Sequence, residues 1–146
     1  MKTLLLPTTV GVNEAISIKE SLEILKLNGV TFEVAGDVID GMYVADNGEI
    51  VAEQLLPISS NINASSLAML FTQECILSSD ETTAQLVAQN GDVWARFDKK
   101  VEYILNDYKE IIALQEKMAR HFGGSSRVGN RVWAWGNDEN ISSWAI

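Results

Sequence analysis

The chain has 146 residues, the size of one ordinary domain with a substantial core. Hydrophobic residues make up 47% and charged residues 21%, the balance of a globular protein rather than a disordered one. Eleven basic and twenty acidic side chains give a net charge of −9, which argues against direct binding to nucleic acid or to an anionic membrane surface.

The chain opens with Lys2 and the apolar Leu4, Leu5 and Leu6, a start like that of a signal peptide. Pro7, Thr8, Thr9 and Glu14 cut this run short, and no small-residue cleavage site follows. No apolar stretch approaches the ~20 residues of a membrane span. The expected location is the cytoplasm, or the virion or host cytoplasm if the source is viral. Thr3 to Pro7 reads as a strand. Ser17 with Glu20 forms a capping box, so a helix is predicted over Ile18 to Leu27, with Asn13 as an alternative start and Asn28-Gly29 as the stop.

Val30, Phe32 and Val34 alternate with Thr31 and Glu33, the period of a half-buried strand. Met42 to Ala45 and Ile50 to Leu56 flank Asp46-Asn47-Gly48, the strongest hairpin signal in the chain. Residues 30–56 therefore read as a small antiparallel meander, closed by Pro57. A helix follows, capped by Asn63 or Ser65, with Leu67, Leu70, Phe71 and Cys75 on one face. Ser78 and Glu81 resemble a second capping box, which predicts a short helix ending at Asn90-Gly91.

Trp94, Phe97, Val101, Ile104, Tyr108, Ile111, Gln115, Met118 and Phe122 then recur at spacings of three and four. This is a heptad seam, so one long helix of about 30 residues is predicted over 93–122. At 1.5 Å per residue it would span about 45 Å. A compact domain of this size is about 38 Å across, so the seam predicts a contact with another chain or, alternatively, the central helix of an elongated domain covered by the two shorter helices. After it, Gly123 to Ser126 reads as a hinge. Val132 to Trp135 and Ile141 to Ile146 read as a hairpin around residues 136–140. Trp133, Trp135 and Trp144 would anchor that tail on its own core or on a neighbouring copy.

The predicted fold class is α+β: an N-terminal antiparallel meander, helices ending in the long helix, and a Trp-rich C-terminal hairpin. The predicted organisation is one domain over 1–124 and a hinged tail over 125–146. Charge is polarised along the chain, because no Lys or Arg falls between Lys26 and Arg96. The acids Glu33, Asp37, Asp40, Asp46, Glu49 and Glu53 form an expected acidic surface for a basic partner protein.

Catalytic constellations are scarce. Cys75 and His121 are the only thiol and the only imidazole, and both read as structural. Gly123-Gly124-Ser125-Ser126 follows a predicted helix, where a phosphate loop would precede one. Asp37, Asp40, Asp46 and Glu49 match no calcium loop, so no metal and no cofactor is expected. The Asn63 and Asn140 glycosylation sequons read as chance.

The leading functional expectation is a non-enzymatic, self-associating assembly or interaction protein, such as a small viral or phage structural or accessory protein. It would act as a homo-oligomer through Trp94, Phe97, Val101, Ile104, Tyr108, Ile111, Met118 and Phe122. The alternative is an acidic inhibitor that mimics nucleic acid in a basic groove. A small hydrolase or other enzyme with an unrecognised carboxylate site, lined with Tyr43 or His121, stands third.

Overall fold

A computed structural model describes residues 2–11 and 14–144. Its elements in chain order are strands β1 (Thr3–Pro7), β2 (Thr9–Val10) and β3 (Glu14–Ala15), helix α1 (Ile18–Leu27), strands β4 (Phe32–Val34), β5 (Ile39–Val44) and β6 (Ile50–Ser60), and helix α2 (Ala64–Leu70). Strands β7 (Cys75–Ser79), β8 (Ala84–Ala88), β9 (Val93–Phe97) and β10 (Lys99–Ile104) follow, then helix α3 (Tyr108–Phe122), strands β11 (Gly124–Val128) and β12 (Arg131–Gly136), and helix α4 (Asp138–Ser142). Antiparallel β-structure predominates, and the longest helix among the described residues has 15 residues. The chain divides into two compact units, Met1–Val38 with Gln54–Arg96, and Ile39–Glu53 with Phe97–Ile146.

In the first unit the strand order is β6–β1–β7–β8–β9, with β4 also on β6. Leu4 and Leu6 of β1 pair with Ile58 and Leu56 of β6. The core gathers these four with Leu25 of α1, Leu67, Ala68 and Phe71 of the α2 region, and Ile76 of β7. α1 starts where the sequence predicts: Ser17 accepts from the Glu20 N–H, and the Glu20 side chain returns to the Ser17 backbone. Ser21, fully buried, donates to the Pro7 carbonyl at 2.9 Å and ties α1 to β1. Asn63 caps α2 by accepting from the Ser66 N–H at 2.8 Å.

α2 ends in a tight closure. The Thr72 N–H donates to Met69 and the Gln73 N–H to Ala68, a Schellman arrangement that holds Thr72 at φ +52°. The Gln73 side-chain amide then reaches the carbonyls of Thr9, Gly11 and Phe71 at 3.0–3.3 Å.

In the second unit the order is β10–β12–β11–β5–β6. α3 covers one face, burying Ile111, Leu114, Met118 and Phe122 against Val132 and Ala134 of β12, with Val101 and Tyr103 of β10 packed alongside. Asp107 caps α3 by accepting from the Glu110 N–H at 3.0 Å, and Gly123 ends it at φ +89°.

Two turns share one chemistry. At Ala45-Asp46-Asn47-Gly48-Glu49, Ala45 N–H donates to the Glu49 carbonyl and Gly48 N–H to Ala45. At Ala88-Gln89-Asn90-Gly91-Asp92 the same two bonds recur, from Ala88 to Asp92 and from Gly91 to Ala88. In each, the Asn side-chain oxygen accepts from the N–H two residues on, at 3.0 Å, and Gly takes the positive φ.

Several sequence expectations are corrected. The α+β fold of an N-terminal meander, helices ending in one 30-residue helix over 93–122, and a C-terminal hairpin is replaced by mostly antiparallel sheet and short helices. Residues 93–104 are two strands: Val93, Ala95 and Phe97 turn inward while Trp94 and Arg96 turn out, and Val101 and Tyr103 turn inward while Lys100, Glu102 and Ile104 turn out. Aromatic and β-branched residues at period two fit a half-buried strand, and spacings of three and four occur by coincidence across the Asp98 and Asn106-Asp107 breaks. The seam is helical from Tyr108 onward alone.

The second capping box fails as well. Residues 75–88 form the β7–β8 hairpin, because Asp80 accepts from the Thr82 and Thr83 N–H groups at 2.9 and 2.8 Å and makes a turn instead of a helix start. Gly123 to Ser126 is a helix cap running into β11, with Ser125 and Ser126 buried, rather than a hinge. The expected strand from Ile141 onward is replaced by α4, because Asn137 and Asn140 form a reciprocal capping pair. Asn13, the alternative start of α1, and Ala145 and Ile146 lie outside the described residues.

Candidate functional site

The eight residues of the expected self-association contact divide between packing and exposure. Ile111, Met118 and Phe122 are core residues of the second unit, and Val101 packs against them. Phe97 is half-buried at the end of β9. Ile104 at 66% exposure and Tyr108 at 68% stand outward in the second unit, and the Arg127 guanidinium lies 5.7 Å from the Tyr108 ring. Trp94 is 56% exposed on β9 of the first unit.

The tail tryptophans take two different roles. Trp144 packs with Phe122 and His121 at ring separations of 5.3 and 5.2 Å and donates to the Tyr103 hydroxyl, so it belongs to its own unit's core. Trp133 and Trp135 lie on the opposite face of β12 from Val132 and Ala134, half-buried. Arg131 stands 4.8 Å from the Trp133 ring and Lys100 5.5 Å from the Trp135 ring. These faces already carry cations from the same chain, which leaves them poor platforms for a stacked ligand.

The acidic set is shared between the units: Glu33 and Asp37 lie in the first, Asp40, Asp46, Glu49 and Glu53 in the second. Asp40 is committed to Arg127 at 3.2 Å, within a network the sequence did not reveal. Gln115, 1% exposed on α3, donates to the Asp40 carbonyl at 2.8 Å and accepts from Arg127 Nε at 3.3 Å. Ser125 donates to the Gln115 carbonyl at 2.8 Å. Gln115 sits among apolar seam residues, and only a polar partner on the facing strands explains it. Asp46 and Glu49 are exposed at the β5–β6 turn.

Cys75 lies in β7 of the first unit, half-buried. His121 Nε2 lies 2.6 Å from the Asn140 carbonyl and 3.3 Å from Ser143 Oγ. A nitrogen that close to a carbonyl carries the proton, so Nε2 donates to Asn140 and has no lone pair with which to activate Ser143. Among the described residues no group of three His, Cys, Asp or Glu side chains is placed to hold a metal ion. Asp80 is held well below its ordinary value, at about 2, by the Thr82 and Thr83 backbone N–H groups and the Thr83 hydroxyl. It is an exposed turn residue, and this shift reflects turn geometry. Among the described residues no helix is long and apolar enough to cross a membrane.

The most open chemistry lies on β9. Among the described residues it ends its unit's strand order, with β8 as its strand neighbour. Its outward residues are Trp94 and Arg96, and Asp92 precedes them at the same period. Trp94 falls within the helical seam expected from sequence; the alternation of Asp92, Trp94 and Arg96 is the signal that marks the strand. Comparison with protein family models, curated proteins and solved structures gives no match for this chain.

Proposed function

We propose that the chain is a non-enzymatic interaction protein that associates with copies of itself. The observation that supports this reading is Trp94, more than half exposed on a strand that, among the described residues, has a hydrogen-bonded strand neighbour on one side. Terminal strands offer a row of backbone donors and acceptors, and proteins that remain monomeric blunt them with charge. β10, the terminal strand of the second unit, carries Lys99, Lys100 and Glu102, each engaged: Lys99 with Asp138, Glu102 with Arg131, and Lys100 over Trp135. β9 is Val-Trp-Ala-Arg-Phe, with a single charge and high strand propensity. An exposed tryptophan on such an edge is the residue type that anchors protein contacts.

Sedimentation equilibrium of the full chain tests this. A mass that rises with concentration toward twice 16.1 kDa or more is expected. A strict monomer mass from dilute to concentrated solution would overturn the reading.

A further inference from the structure

We propose that two copies pair through β9, antiparallel and centred on Trp94, so that each copy's Asp92 faces the partner's Arg96. The proposal rests on the self-association reading above and specifies its surface. Three observations carry it.

The first is direction. Asp92, Trp94 and Arg96 are exposed, while Val93 and Ala95 between them are half-buried. The three exposed residues therefore share one face of the strand, as period two requires.

The second is the backbone. Ala88 N–H donates to the Asp92 carbonyl at 2.8 Å. Ladder bonds to one neighbour recur at alternate residues of an antiparallel strand. Residues 94 and 96 therefore bond toward β8, and the N–H and C=O groups of 93 and 95 point away from it. A second β9 must set outward residues against outward residues, which confines the symmetric registers to those centred on 93, 94, 95 or 96.

The third is charge, which selects among them. Centring on Ala95 sets Asp92 against the partner's Asp98. Centring on Arg96 sets two guanidinium groups against each other. Centring on Val93 leaves Arg96 opposite the partner's Asn90, with its charge unmatched. Centring on Trp94 sets the two indoles side by side and makes two Asp92–Arg96 pairs related by a twofold axis, the self-complementary form of a dimer interface. Arg96 makes no ion pair among the described residues. Asp92 Oδ2 accepts from the Asn90 side chain at 3.0 Å, and its second oxygen remains for the guanidinium. Such a contact is small, so the dimer is a weak one.

Sedimentation equilibrium of the full chain with Arg96→Asp, and with the exchange Asp92→Arg/Arg96→Asp, is the test. Arg96→Asp replaces two attractions by two repulsions and should weaken the dimer by about tenfold or more, while the exchange should recover most of it. If the wild type dimerises but Arg96→Asp leaves it unchanged, or the exchange recovers nothing, this register is wrong and self-association proceeds elsewhere. A wild type that stays monomeric at every concentration removes both readings.

The exchange also costs the Asn90–Asp92 bond, so a second pair of variants reads the register directly. In a Cys75→Ser background, Trp94→Cys brings two thiols together at an opposed non-hydrogen-bonded position. There the Cα separation is about 4.5 Å, within disulfide reach. Ala95→Cys in the same background faces Val93 and lies beyond that reach from its own counterpart. A covalent dimer on a non-reducing gel at 94 and none at 95 is expected. Linkage at 95, or at neither position in a dimerising chain, would overturn the pairing.

Discussion

The indole N–H of Trp144 donates to the Tyr103 hydroxyl at 2.8 Å, which joins the segment after α4 to strand β10 within the second unit. The same indole lies against Phe122 and His121, with the Lys117 ammonium 5.4 Å from its ring. The C-terminal segment is thus part of the unit's own packing, with contacts from α3 and β10 at once.

Trp144→Phe should remove the hydrogen bond and part of the ring packing, at a cost of about 1 kcal/mol. Trp144→Ala should cost about 2 kcal/mol, below the usual value for a fully buried aromatic because the ring is half-buried. Urea unfolding of both variants checks this. The two should fall in that order, and a neutral Trp144→Ala would show that the segment is not docked.

Gln115→Leu fits the apolar seam of α3 but strands its polar neighbours. Arg127 Nε would lose its acceptor and the Asp40 carbonyl its side-chain donor. A buried group left without its partner costs about 1–3 kcal/mol, so the variant should be less stable despite its greater hydrophobicity. Thermal unfolding decides the sign, and stabilisation by Leu would mean that the network contributes nothing.

Two helix ends predict opposite signs for opposite substitutions. Gly123 ends α3 at φ +89°, where a side chain is strained although space is open around it. Gly123→Ala should therefore cost about 1 kcal/mol. Thr72 occupies the equivalent position after α2 with a β-branched side chain at φ +52°. Thr72→Gly should stabilise by up to about 1 kcal/mol, the relieved strain exceeding the extra freedom of the unfolded chain. Melting of the two single variants tests both, and a tolerated Ala at 123 would show that the positive φ carries no cost there.

Asp80 sets a pH dependence. Its folded value of about 2 lies below its ordinary 3.8, so the charged form is favoured by folding. That contribution is fully present above about pH 4 and is lost as pH falls toward 2. Stability of the wild type minus that of Asp80→Asn should therefore shrink across this window and stay constant above it. A difference that does not change between pH 4 and 2 would show that the turn bonds do not discriminate the charged carboxylate.

Local chemistry alone determined a definite part of this protein. Ser17 with Glu20, Asn63 and Asn47-Gly48 each place an element end correctly, because the groups that satisfy the backbone lie within three residues of it. The face of α3 from Ile111 to Phe122 was legible for the same reason, as a period of 3.6 across one continuous helix. Asn90-Gly91 carries the same turn chemistry as Asn47-Gly48, so the β8–β9 hairpin was also readable there. It was masked by the Ser78–Glu81 spacing and by a heptad count that ran through Asp98 and Asn106.

Tertiary structure decided the rest. Whether Trp94 sits on a helix or a strand depends on β8 lying beside it, a partner that no local period specifies. The roles of Trp144 and Trp133 were likewise indistinguishable in the chain: one meets Tyr103 and Phe122, while the other lies under Arg131 on the far face of β12. Gln115 looks like a flaw in an apolar seam until Asp40 and Arg127, at sequence separations of 75 and 12, arrive to bond it. A side chain's period records which way it points; what it meets there is set by strand pairing between residues distant in sequence.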